Sequence, residues 1–105
     1  MIYELRTYQI PSGKMPDILR RFETTALRLF KRHGIHVAGF WTRADADELV
    51  YLCKFTDEEA MQKAWEAFKA DPDWVETKKR TEARGPIVTE VISHTLLPVS
   101  FSPMQ

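Results

Sequence analysis

The sequence has one cysteine and four glycines in 105 residues, and its fifteen basic side chains are matched by fifteen acidic ones. A lone cysteine cannot form an internal disulfide. Cys53 lies in the apolar run Leu49-Val50-Tyr51-Leu52-Cys53 with no activating base beside it, and so reads as a buried, inert thiol in a reducing compartment. Zero net charge leaves no surplus of cations to neutralise a phosphate backbone, which argues against general nucleic-acid binding. No stretch approaches the roughly 18 apolar residues of a membrane span. Met1-Ile2-Tyr3-Glu4-Leu5-Arg6 opens on strand-like alternation instead of a basic leader, so the expected location is the cytoplasm, without membrane attachment. Glycine-rich phosphate loops of the G-x-G-x-x-G or G-x-x-x-x-G-K-[ST] kind and the G-x-S-x-G elbow are absent, which disfavours nucleotide-dependent and hydrolase chemistry. The only histidines, His33, His36 and His94, stand in no metal-ligand spacing and do not join Cys53, so neither a metal nor a cofactor is expected.

What is present fits one soluble domain, with 44% hydrophobic and 29% charged residues and no internal repeat. Ile2 to Ile10 alternates like a strand and ends at Pro11-Ser12-Gly13. Met15, Ile18, Phe22, Ala26, Leu29 and Phe30 recur at helical spacing up to His33, and Gly34 stands just past the end. Ile35–Thr42 and Glu48–Thr56 read as a hairpin across a polar connection. Thr56-Asp57-Glu58-Glu59 has the form of a capping box, Asp71-Pro72 that of a second helix start, and Ile87–Leu97 that of a fourth strand. The order β-α-β-β-α-β predicts an α+β, ferredoxin-like domain over residues 1–97, a four-stranded antiparallel sheet with its helices on one face, followed by a tail over 98–105. Two basic runs, the first helix and Lys78-Lys79-Arg80 with Arg84, read as a solvated helix face and as charges complementing a helix C-terminus.

Strand alternation then decides which side chains meet the helices. On the first strand the choice lies between Tyr3, Leu5 and Thr7 and the set Glu4, Arg6 and Tyr8. Burying Glu4 and Arg6 would require each charge to be paired, so the first set is expected under the helices, with Ile87, Val91 and Thr95, with Ile35, Val37 and Trp41, and with Leu49, Tyr51, Cys53 and Phe55. Glu4, Arg6, Tyr8, His36, Phe40, Glu90 and His94 are then the candidates for a pocket on the uncovered face, among Val50, Leu52 and Ile92. In that pocket Arg6 would hold a carboxylate or enolate while His94 or Glu90 moves a proton. The same residues also fit a cross-strand Glu–Arg pair in a polar cluster. So many apolar groups on an open face call for a cover, and a second copy about a two-fold axis is the expected one.

Tyr3-Glu4-Leu5-Arg6-Thr7-Tyr8, Pro11-Ser12-Gly13-Lys14-Met15, Gly39-Phe40-Trp41, and Trp65-Glu66-Ala67-Phe68 leading into Asp71-Pro72-Asp73-Trp74 together resemble the NIPSNAP family over nearly the whole chain. The resemblance implies a dimeric α+β barrel, a superfamily that includes cofactor-independent monooxygenases and isomerases. It carries no catalytic set over to this chain. The reading is a homodimer binding a small anionic or aromatic molecule between its two sheets; the alternatives are a cofactor-independent monooxygenase or isomerase, and a non-catalytic assembly module.

Overall fold

Several helix boundaries have a local chemical cause. In the computed structural model, which describes all residues Met1–Gln105, strand β1 (Ile2–Gln9) leads into α1 (Met15–Arg21), a π-helical segment (Phe22–Ala26) and α2 (Leu27–Arg32). This is one continuous helix in which the Leu27 amide reaches back to the Phe22 carbonyl. It stops at Gly34, whose φ of +73° is a left-handed conformation that glycine adopts without a steric penalty. There the Gly34 and Ile35 amides return to the Lys31 and Phe30 carbonyls, a Schellman closure. Strands β2 (His36–Thr42) and β3 (Glu48–Phe55) follow, then α3 (Glu58–Ala70), α4 (Pro72–Thr81) and β4 (Glu90–Leu96). The predicted capping box at Thr56 is not formed; Asp57 caps α3 by accepting the Ala60 amide at 2.8 Å. Asp71 caps α4 as expected, accepting the Asp73 amide at 2.9 Å. The fourth strand begins at Glu90, three residues later than Ile87, which is buried in the preceding loop.

The sheet order is β2-β3-β1-β4 with every neighbouring pair antiparallel, so the ferredoxin-like α+β fold is the one the pattern predicts. The helices lie against one face, over a core that includes Tyr8, Phe22, Phe30, Leu49, Tyr51, Phe55, Trp65 and Phe68. Pro98–Gln105 has no helix or strand and returns towards the sheet, where the Tyr3 hydroxyl donates to the Gln105 carbonyl at 2.9 Å.

Registers fix the faces. Glu4 is paired with Cys53, Arg6 with Tyr51 and Tyr8 with Leu49, and directly opposed residues share a face. Since Tyr51, Cys53 and Leu49 lie in the core, Glu4, Arg6 and Tyr8 lie under the helices and Tyr3, Leu5 and Thr7 on the open face, the reverse of the expected phase for β1. On β2 the ladder shifts between Val37 and Gly39, so that Phe40, opposite Tyr51, turns inward and Trp41, opposite Val50, turns out and is 56% exposed. A bulge of this kind exchanges the two faces beyond it. On β3 and β4 the expected phases hold.

Candidate functional site

The charges expected outside form a closed network inside. Glu4 is only 3% exposed, and both of its carboxylate oxygens are engaged. Oε1 accepts the Trp65 indole N–H at 2.6 Å, and Oε2 accepts from Arg6 at 3.0 Å and from the Ser93 hydroxyl at 2.5 Å. Arg6 also donates through Nε to the Tyr51 hydroxyl at 2.7 Å, and its guanidinium lies 4.2 Å from the centre of the Trp65 ring. The Tyr8 and Tyr51 hydroxyls are 2.7 Å apart. Ionic and cation–π contacts of this kind are strong where water is excluded, and a buried charge is tolerable only when so satisfied.

The electrostatics follow from that enclosure. Burial disfavours the Arg6 charge, but Tyr51, Tyr8 and Glu4 outweigh it and hold the guanidinium protonated beyond its ordinary range. Burial, reinforced by Tyr8, raises the Tyr51 phenol well above its usual range. Cys53 is fully buried, and burial followed by the nearby Glu4 pushes its thiol up to about 12, which makes it inert as expected. The network thus offers hydrogen-bond donors and a fixed cation but no free base, since Glu4 accepts from three partners. No fully sealed side-chain polar atom is left without a hydrogen bond.

The seven candidate residues therefore divide between two places. Glu4, Arg6, Tyr8 and Phe40 face the helices, Phe40 stacking on Tyr51 with ring centres 5.0 Å apart. His36, Glu90 and His94 stay on the open face, where all three are exposed. His36 on β2 and His94 on β4 are three strand spacings apart, about 14 Å, too far to act on one small group. His94 lies opposite Leu5, and His36 opposite Lys54.

The open face itself is apolar in the middle. Leu5, Thr7, Val50, Leu52 and Ile92 are half-buried, and Trp41 and Leu96, the latter 41% exposed, flank them. Tyr3, Leu52, Leu96 and Leu97 border a hollow of about 170 Å³ that Pro98, Ser102 and Met104 of the returning tail close on one side. Residues that reasoning from sequence missed at this site are Tyr3, Leu5, Thr7 and Trp41; the signal for Trp41 was Gly39, a glycine inside a strand, which often marks a bulge. Trp41 lies flat over Gly39, where an added Cβ would come within 2.7 Å of the ring. No helix is long and apolar enough to cross a membrane.

Comparison with known proteins agrees with this architecture. The NIPSNAP family model matches residues 3–103. A NIPSNAP domain protein from Burkholderia xenovorans superposes with a TM-score of 0.86 at 27% identity, covering 98% of this chain and 99% of that one. A NIPSNAP family protein from Agrobacterium tumefaciens does so with 0.87 at 22% identity, over 100% and 94%. A Nitrosomonas europaea protein, named among the antibiotic biosynthesis monooxygenases, shares the fold with a TM-score of 0.66 at 12% identity, over 94% and 99%. No curated protein matches. With the βαββαβ sheet, the two-sided distribution of its charged and apolar residues, and a family match over nearly its whole length, the chain belongs to the NIPSNAP family.

Proposed function

We propose that this protein is a homodimer that binds a small aromatic or apolar molecule between two facing sheets. The observation that carries the reading is the open face, where Leu5, Val50, Leu52 and Ile92 adjoin the exposed Trp41 and Leu96 with no helix over them. Contiguous apolar patches beyond a few hundred Å² are uncommon on monomers, and a two-fold copy of the same face is the commonest cover. Arg6 is no anchor for an anion there, because it points to the helices. Lys54, His36 and His94 remain at the margins to meet an acidic substituent. Native mass spectrometry of the purified protein tests the reading: a dimer mass, with or without a small adduct, is expected, and a monomer at micromolar concentration overturns it.

The monooxygenase or isomerase reading is favoured by a different feature, the free titratable groups. His36, Glu90 and His94 form no side-chain hydrogen bond or ion pair and lie on the open face, so proton transfer would take place between the sheets and not in the closed network. Oxygen uptake or isomerisation with an acidic aromatic substrate, lost in His94→Ala, is the expected sign; turnover unchanged in that variant rejects it.

A further inference from the structure

A second polar enclosure lies on the helical side, away from the sheet. Five polar or charged residues are buried in the chain: Glu4, Arg21, Thr25, Asp71 and Thr77. Glu4 belongs to the network above, and Asp71 caps α4 while pairing with His33 and Arg32. The other three line one hollow of about 140 Å³ between α1, the π-helical segment and α4, whose wall contains no hydrophobic residue. Arg20, Arg80 and Thr81 complete its cationic and hydroxyl lining, Thr24 adds a further hydroxyl, and Asp17 is its one acid.

These buried groups have unused hydrogen-bonding capacity. Arg21 donates only through Nη1, to Thr81 at 3.1 Å and Glu82 at 2.9 Å, so Nε and Nη2 have no hydrogen-bond acceptor in the chain, although the guanidinium lies 4.9 Å from the centre of the Trp74 ring. The Thr77 carbonyl accepts from Thr81, but the Thr77 hydroxyl makes no bond. Thr25 has only a long contact of 3.4 Å with Thr24. Because no fully sealed side-chain polar atom lacks a partner, the unengaged atoms must border an opening, and the hollow is the opening that all three residues line. Arg80 forms no ion pair, and the nearest acid to Arg20 is Asp17 at 4.0 Å. Three arginines against one aspartate leave the hollow positive even though Glu82 offsets Arg21.

We propose that this hollow is a binding site for a single tetrahedral oxyanion, a phosphate or the phosphoryl group of a monoester, held by Arg21, Arg80 and the hydroxyls of Thr25 and Thr77. Guanidinium forks and hydroxyl donors are the groups that match phosphate oxygens. At about 140 Å³ the space is well below the roughly 300–1,000 Å³ of a site for a whole drug-sized ligand. One oxyanion fits, and the remainder of a monoester would lie outside, past the rim arginines. The π-helical segment places Thr24 and Thr25 there, and the Thr24 hydroxyl bonds back to the Arg20 carbonyl at 2.7 Å, which keeps that turn satisfied.

Titration of the intact protein with inorganic phosphate at low ionic strength, followed by calorimetry and by amide shifts of α1 and α4, tests the proposal. One saturable site per chain in the roughly millimolar range is expected, and chloride at equal ionic strength should not fill it. Arg80→Ala, which changes an exposed side chain and leaves the fold intact, should weaken binding about tenfold. Thr77→Val, checked for an unchanged melting temperature, should weaken it about fivefold. Asp17→Asn should tighten binding, because it removes the one like charge from the wall. Glycerol 3-phosphate binding about tenfold better than inorganic phosphate assigns the site to phosphorylated small molecules, and equal affinity assigns it to free phosphate. Absence of saturation, or a response identical in wild type, Arg80→Ala and Asp17→Asn, overturns the proposal.

Discussion

The two faces of this sheet differ in how their polar and apolar side chains are partnered. The face covered by helices contains an ion pair, two phenols, an indole N–H and a serine hydroxyl, whereas the face open to solvent presents Leu5, Val50, Leu52, Ile92 and Trp41. On the covered face the number of partners decides whether burial is tolerable, since each charge and each hydroxyl meets a complementary group within one strand or helix spacing. On the open face the returning tail meets only Tyr3, Leu52 and the end of β4, and the remaining apolar side chains have no partner in the chain. The covered face is thus complete by itself, and the open face is the one left with unpartnered apolar surface.

The most damaging way to break this contrast is to remove one charge from the covered face. Glu4→Gln leaves the Arg6 guanidinium under the helices without its counter-charge and should lower stability by about 3–5 kcal/mol, read as a lower urea midpoint with little change in slope. A loss below about 1 kcal/mol would mean that Arg6 escapes to solvent and that the network is not closed. The corresponding change on the open face should act on assembly and leave folding nearly unaltered. Under the proposed dimer, Val50→Asp is expected to weaken self-association by at least about a hundredfold in sedimentation, because it would place an unpaired carboxylate between two facing sheets, while the subunit keeps its melting temperature at high dilution. A similar fall in folding stability in both variants would erase the distinction between the faces. A smaller effect sharpens it. Tyr8→Phe removes the hydroxyl lying 2.7 Å from that of Tyr51 and should cost about 1–3 kcal/mol in chemical denaturation, with association unchanged.

The elements and their order were legible in the sequence because helical and strand periodicities are local properties, and Gly34, Asp71 and Pro72 mark boundaries through their own backbone chemistry. The phase of β1 was not. Its alternation is evident, but choosing between its two sets by keeping charge out of the core neglects partners 45 and 61 residues away, Tyr51 for Arg6 and Trp65 for Glu4. One hint was available: opposite charges two residues apart on a strand share a face and can pair, as Glu4 and Arg6 do. The seven candidate site residues do not share one face for the same reason on β1, where a one-residue difference in phase sends Glu4, Arg6 and Tyr8 to the side opposite His36, Glu90 and His94. Phe40 and Trp41 exchanged places through the irregularity at Ala38, which alternation alone cannot show and which Gly39 only suggests. The hollow between α1 and α4 left no pattern at all, because its threonines and arginines converge from two helices whose sequences read as ordinary amphipathic faces.

Gly39 gives the mildest and most local probe of the open face. Its Cα supports the Trp41 ring so closely that a Cβ would fall 2.7 and 2.9 Å from two ring carbons, inside van der Waals contact. The ring is the part free to move, since it is more than half exposed and no helix covers it. Gly39→Ala should therefore tilt Trp41 away from the sheet at a cost of at most about 1 kcal/mol, without disturbing the covered core. The emission of Trp41, isolated by comparison with Trp41→Phe, is expected to shift to the red in the subunit at high dilution. If the open face is the one a second copy covers, the same tilt should weaken association several-fold at higher concentration, because Trp41 then meets the partner sheet in the wrong orientation. A red shift with unaltered association would place Trp41 outside the contact and confine the cover to Leu5, Val50, Leu52 and Ile92.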